Sequence, residues 1–96
     1  MNFNLADKKI LITGSSGGIG KSLCMKFIEE KAKIIFTSSN QDKLNELKKT
    51  FGEGHSYYFL DFLNIPNLIE DIKKIATENQ DIEILINNAG ITKDNL

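Results

Sequence analysis

Four short apolar runs recur along the chain, and the stretches between them carry their apolar residues at helical spacing. Ile10, Leu11 and Ile12, between Lys9 and Thr13, show no polar alternation, which predicts a strand buried on both faces of a parallel sheet. Ile19, Leu23, Phe27 and Ile28 then repeat at helical intervals up to Lys31, with Lys21, Lys26, Glu29 and Glu30 falling mostly between them, and predict a first helix. A second strand is expected at Ile34, Ile35 and Phe36, stopped by the polar group Thr37 to Gln41. Leu44, Leu47 and Phe51 mark a second helix closed by Gly52 and Gly54, and the aromatic-rich Tyr57, Tyr58, Phe59 and Leu60 a third strand. Pro66 suits the first turn of a third helix with the apolar face Leu68, Ile69, Ile72, Ile75 and Ala76, and Ile82, Ile84, Leu85 and Ile86 make a fourth strand.

Strands alternating with helices over short connections predict an α/β fold, a Rossmann-type βαβαβαβ parallel sheet. Right-handed crossovers place its strands in the order 3-2-1-4. This is the N-terminal half of a doubly wound sheet, so residues 1–96 are expected to form a single, partial dinucleotide-binding domain. The fourth strand would stand at an edge with apolar residues uncovered, as though the sheet continued beyond it.

Composition narrows the function. The chain has 96 residues, 41% of them hydrophobic, enough for one modest core. A net charge of -1 with 26% charged residues argues against nucleic acid as a partner. All twelve basic residues are lysine, so a bound phosphate depends on backbone N–H groups, hydroxyls or lysine ammonium groups. Cys24 is the single cysteine, and neither a secretory h-region nor an apolar run of membrane-spanning length is present, which gives the expectation of a cytoplasmic protein with no membrane association. Cys24 and the lone His55 read as packing residues, and no metal site is expected.

Thr13-Gly14-Ser15-Ser16-Gly17-Gly18-Ile19-Gly20-Lys21-Ser22 joins the first strand to the first helix. A P-loop needs glycine, four residues, then Gly-Lys-Ser; counting back from Gly20 puts Ser15 at the required glycine. A dinucleotide loop needs a glycine for the tight turn, one for close approach of a pyrophosphate and one for close helix packing, and Gly14, Gly18 and Gly20 supply all three. Gly14, Ser15, Ser16, Gly18, Ile19 and Gly20 are therefore candidate cofactor-binding residues.

Asn87-Asn88-Ala89-Gly90 follows the fourth strand. With the glycine loop it resembles the paired signatures of the short-chain dehydrogenase/reductase family, over the whole chain, and Ile91 to Leu96 resembles its 3-oxoacyl-(acyl-carrier-protein) reductases. The resemblance implies a nicotinamide dinucleotide cofactor, with Asn88, Ala89 and Gly90 beside it. It further implies reduction of 3-oxoacyl-acyl-carrier-protein in fatty-acid synthesis, with acyl carrier protein thioester as substrate of a full-length, homotetrameric parent. The family's catalytic serine, and its tyrosine and lysine four residues apart, have no counterpart in these 96 residues; Tyr57 and Tyr58 lack the following lysine, so no catalytic residue is assigned. A non-catalytic nucleotide-binding module and, on a weaker footing, a P-loop nucleotidase are the other readings.

The end of the second strand distinguishes the two nicotinamide dinucleotides. A carboxylate there would accept hydrogen bonds from the ribose hydroxyls of NAD and repel the extra phosphate of NADP. Ser38 and Ser39 are neutral and can donate, which favours NADP(H) over NAD(H). Relatives that use NADP often carry a basic residue before the second loop glycine, where this chain has Gly17; Lys21 and Lys43 are candidate substitutes. Asp61 and Phe62, after the third strand, match the family positions that meet the adenine amino group and cover its ring.

Overall fold

The computed structural model describes residues 4–15 and 18–87. Seven elements follow in the expected order: β1 (Lys9–Thr13), α1 (Gly18–Glu29), β2 (Lys33–Ser38), α2 (Gln41–Phe51), β3 (Ser56–Phe59), α3 (Ile65–Glu78) and β4 (Ile82–Asn87). The strands form one parallel sheet in the order β3-β2-β1-β4. Among the described residues no helix is long and apolar enough to cross a membrane.

Alternate residues of each strand feed two separate cores. Ile10, Ile12, Ile34 and Phe36 are buried with Cys24, Ala32, Leu44 and Leu47 under α1 and α2, joined by the half-buried Ile84 and Ile86. Ile35 lies on the opposite face with Leu60 and Ile75, flanked by Leu11, Tyr58, Leu68 and Ile82 beneath α3. Ile82 and Ile84 sit on opposite faces although they are two residues apart. The β1–β4 register shifts between Lys9 and Ile10, which pair with Ile82 and Ile84, so Glu83 is an inserted residue that reverses the side-chain alternation.

The two faces are unequally covered. A second apolar stripe on α3 remains half exposed, with Ile69 and Ile72 both at 49%, and Leu85 of β4 is 64% exposed. Ile72 and Leu85, with Phe62 and Ala76, border a groove of about 340 Å³ between α3 and the outer strand. The edge position expected for the fourth strand is thus present, with its apolar residues uncovered on the α3 side.

The structure corrects two local expectations. β2 does not stop at Phe36 but runs through Thr37 and Ser38, both buried. Polar side chains are tolerated there because they have partners: Thr37 Oγ1 donates to the Ile12 carbonyl at 3.1 Å, and the Ser38 hydroxyl is held at the backbone of Asn40. Ile19, assigned to the buried stripe of α1, is 73% exposed, while Cys24 takes a fully buried place. Burial pushes the Cys24 thiol up to about 11, a hydrogen bond with Ser15 offsetting part of the rise, so the group is protonated at neutral pH and acts as packing.

Helix ends follow local chemistry. Asn40 and Asn64 cap α2 and α3 by accepting from the N–H groups of Lys43 and Asn67, and Pro66 occupies the first turn of α3 as expected. Gly52 ends α2 at a φ of 67°, a left-handed value that costs a non-glycine residue strain. Its carbonyl accepts from the Tyr57 hydroxyl at 2.7 Å, and the Tyr57 ring stacks on Phe36, which also stacks on Phe51, each at 5.0 Å between centroids.

Two polar contacts, one part-buried and one fully buried, hold β2 to its neighbours. His55 Nδ1 accepts the Ile34 N–H at 3.0 Å, at the end of the β2–β3 ladder, and the ring meets Phe36 edge-on. Burial lowers the His55 pKa from 6.5, so the folded state binds the proton more weakly than the unfolded one. Stability is therefore full above pH 6.5 and declines as pH falls from there through the folded-state pKa. Urea midpoints measured between neutral and mildly acidic pH should show this fall in the native chain and a smaller one in His55→Gln. The second contact is the Ser15 hydroxyl, fully buried, which donates to the Ile12 carbonyl at 2.6 Å and accepts the Thr37 N–H at 3.2 Å, tying β1 to β2. Ser15→Ala should cost about 1–3 kcal/mol in chemical denaturation, because two backbone groups lose a buried partner.

Candidate nucleotide-binding site

Because all four strands are parallel, their carboxyl ends share one edge of the sheet. Thr13 pairs with Asn87 at that edge, so the ends of β1 and β4 are adjacent. The chain leaves β1 toward α1 on one face, whereas it reaches β4 from α3 on the other. Strand order reverses between β1 and β4, the place where open parallel sheets bind ligands.

Among the described residues, the turn out of β1 and the start of α1 stand at this edge. Gly14 takes a φ of 67°, turning the chain sharply out of the strand. Ser15 follows, and its N–H donates to the Thr37 carbonyl at 3.0 Å, so its amide and hydroxyl both serve the scaffold. Gly20 is buried, which lets the first turn of α1 approach the sheet closely. Gly18 and Ile19 are exposed at the start of that helix, whose first turn has no acidic residue. A Cβ added at Gly18 would meet nothing within 4 Å, so packing among the described residues does not require glycine there. The space a side chain would fill lies at the positive end of the α1 dipole, where N–H groups lack helical acceptors.

The other expected residues distribute around this edge. Ser38 is buried and its hydroxyl is engaged with Asn40, whereas Ser39 is exposed just beyond β2. Asp61 is half-buried after β3 and accepts the Leu63 N–H at 2.9 Å, a tight local turn that fixes its carboxylate. Phe62 is 42% exposed and lines the α3-side groove with Leu11 and Thr13 of β1. Gly14, Ser15, Gly18, Ile19, Gly20, Ser38, Ser39, Asp61 and Phe62 thus occupy the carboxyl ends of three neighbouring strands and the first turn of α1. Ser16, Asn88, Ala89 and Gly90 lie outside the described residues. Among the described residues no cluster of three or more histidine, cysteine or acidic side chains could hold a metal.

These residues fit a dinucleotide: a left-handed turn, open space at an acid-free helix start and a switch point with small neutral residues beyond β2. The two tyrosines do not extend the site toward catalysis. Tyr57 is committed to the Gly52 carbonyl, and the Tyr58 hydroxyl donates to Glu78 at 2.7 Å and accepts from Asn79 at the far end of α3. Burial raises both phenols, in Tyr58 with the help of Glu78, the opposite of what proton transfer near neutrality asks.

The short chain dehydrogenase family model matches residues 8–96. The chain is 37% identical over 94 residues to the 3-oxoacyl-(acyl-carrier-protein) reductase FabG of Buchnera aphidicola (strain APS), covering 97% of this chain and 38% of that protein. It is 34% identical over 82 residues to the NADP-dependent 3-hydroxy acid dehydrogenase YdfG of Escherichia coli K12, covering 85% of this chain and 33% of that one. A solved short chain dehydrogenase structure from Shigella flexneri superposes at a TM-score of 0.74 with 26% identity, over 92% of this chain and 42% of that structure. A solved structure described as a 3-oxoacyl-reductase from Bacillus thuringiensis gives 0.72 at 23% identity and bears on the fold alone, over 88% of this chain and 36% of that structure. The chain therefore spans well under half the length of these relatives. Glycine loop, strand order and family model agree: this chain belongs to the short chain dehydrogenase family of oxidoreductases, whose cofactor is a nicotinamide dinucleotide.

Proposed function

We propose that these 96 residues are a single, partial dinucleotide-binding domain: the NADP(H)-binding portion of a cytoplasmic reductase that converts 3-oxoacyl-acyl-carrier-protein to its 3-hydroxy form in fatty-acid synthesis. The observation that carries the nucleotide reading is the open space at Gly18, set at an acid-free helix start beside the switch point. The substrate reading draws support from the reductase relatives at 31–37% identity. When bound, the nicotinamide supplies a hydride to a carbonyl carbon. The residues of this chain bind and orient. The α1 N-terminus would hold the pyrophosphate, Ser39 would stand beside the adenosine ribose, and Asp61 and Phe62 would meet the adenine. Ser38 supports Ser39 by fixing the turn at Asn40, and Asn88, Ala89 and Gly90, outside the described residues, would complete the site by the family resemblance. No side chain here is assigned to proton transfer.

Fluorescence titration of the purified chain should show NADPH binding in preference to NADH and ATP. Gly18→Asp should weaken that binding by roughly ten-fold or more, since a carboxylate would stand against the pyrophosphate. Its thermal unfolding should be unchanged or slightly raised, because an acid at a helix start is favourable. Binding that survives Gly18→Asp would place the nucleotide elsewhere. A second expectation is that the chain by itself reduces no 3-oxoacyl thioester, and measurable NADPH oxidation with such a substrate would contradict it.

A further inference from the structure

The buried hydroxyl of Ser15 joins more of the molecule than a turn out of a strand requires. β1 and β2 pair in register up to Ile12 and Phe36. Just beyond, the chain leaves β1 at Gly14, while β2 runs on through Thr37 to Ser38. There the Ser15 hydroxyl stands between the two strands, donating to the Ile12 carbonyl at 2.6 Å and accepting the Thr37 N–H at 3.2 Å, as a bridging water would. The Ser15 N–H donates to the Thr37 carbonyl at 3.0 Å, and Thr37 Oγ1 donates to the Ile12 carbonyl at 3.1 Å. Ile12 and Ser15 are fully buried and Thr37 is 1% exposed, so this clasp is dry.

A third element reaches the same oxygen. The thiol of Cys24, fully buried on α1, is hydrogen-bonded to the Ser15 side chain. A hydroxyl has one proton to give and two lone pairs, and the Ile12 carbonyl, the Thr37 N–H and the protonated thiol together use all of them. β1, β2 and α1 therefore meet at one saturated, buried group. Two arms of the candidate site grow from these elements. α1 begins at Gly18, and the tilt of its axis decides where its first N–H groups point. Ser38 and Ser39 follow Thr37 directly, Ser38 fixing the turn at Asn40.

We propose that Ser15 is a positioning residue for nucleotide binding: its hydroxyl sets the spacing between the start of α1 and the turn after β2, so that the diphosphate and the adenosine of one ligand are met together. The inference rests on the nucleotide reading above. Ser15 itself touches no ligand in this account, since its amide and hydroxyl are both turned to the scaffold. A ligand that bridges both arms is sensitive to their alignment, because the second contact gains from the first only when the spacing matches. A ligand that meets one arm alone is not.

The test titrates the full chain with NADPH, with inorganic pyrophosphate, which needs only the start of α1, and with adenosine, which needs only the strand ends beyond it. Ser15→Ala should lose about ten-fold in NADPH affinity, while pyrophosphate and adenosine each bind within about two-fold of native. Thr37→Val keeps the side-chain shape and removes one of the hydroxyls on the Ile12 carbonyl; it should lose about three-fold for NADPH alone, and Thr37→Ser should restore native affinity. Circular dichroism identifies the folded variants, and where Ser15→Ala does not fold the two Thr37 variants decide. A folded Ser15→Ala that binds NADPH as tightly as the native chain overturns the assignment and leaves the nucleotide reading standing, as does native affinity in Thr37→Val where Ser15→Ala does not fold. Loss of pyrophosphate and NADPH by the same factor also overturns it, because Ser15 then only keeps the start of α1 in shape. A folded native chain that does not bind NADPH removes the nucleotide reading and this inference with it.

Discussion

The position of β1 is the constraint on which the rest depends. It is the one strand paired on both sides with strands reached from opposite faces: β2 through α1, and β4 through α3. Ile10 and Ile12 of β1 are fully buried against α1 and α2, and Leu11 faces the α3 side. A right-handed crossover can only send α1 and α2 over one face and α3 over the other. The reversal of strand order, and with it a crevice at the carboxyl end of β1, is therefore a consequence of how the core is packed.

The glycine loop converts that crevice into a candidate site through an economy of groups. Ser15 spends its hydroxyl and amide on the scaffold, joining the carbonyls of Ile12 and Thr37 and the N–H of Thr37. The turn is held from below, while the amides at the start of α1 remain at the surface beside a residue with no side chain. The arrangement separates the residues that shape the loop from those left to meet a ligand.

Much of this was legible in the chain. The apolar runs marked β1 to β4, their spacing relative to the helical segments implied the order 3-2-1-4, and the glycine register pointed to a dinucleotide rather than a P-loop. Legibility failed where tertiary partners decide the outcome. Thr37 and Ser38 looked like the end of a strand because hydroxyl groups usually mark loops, yet each has a partner that makes burial acceptable. Ile19 fits a helical stripe by spacing but stands at the helix start, above the sheet rather than on it. The reversal of faces between Ile82 and Ile84 depends on a register shift that no local pattern announces. The clasp made by Ser15 was equally hidden, since a serine in a glycine loop reads as a ligand contact.

The most direct measurement of the central claim is an amide-resolved NMR titration of this 10.8 kDa chain with NADPH. The account predicts that the largest shifts fall on Gly14, Gly18, Ile19 and Gly20, with smaller ones at Ser39 and Asp61, and little change at His55 or Asn79 at the opposite edge of the sheet. Shifts concentrated along the groove between α3 and β4, with the glycine loop unmoved, would contradict it.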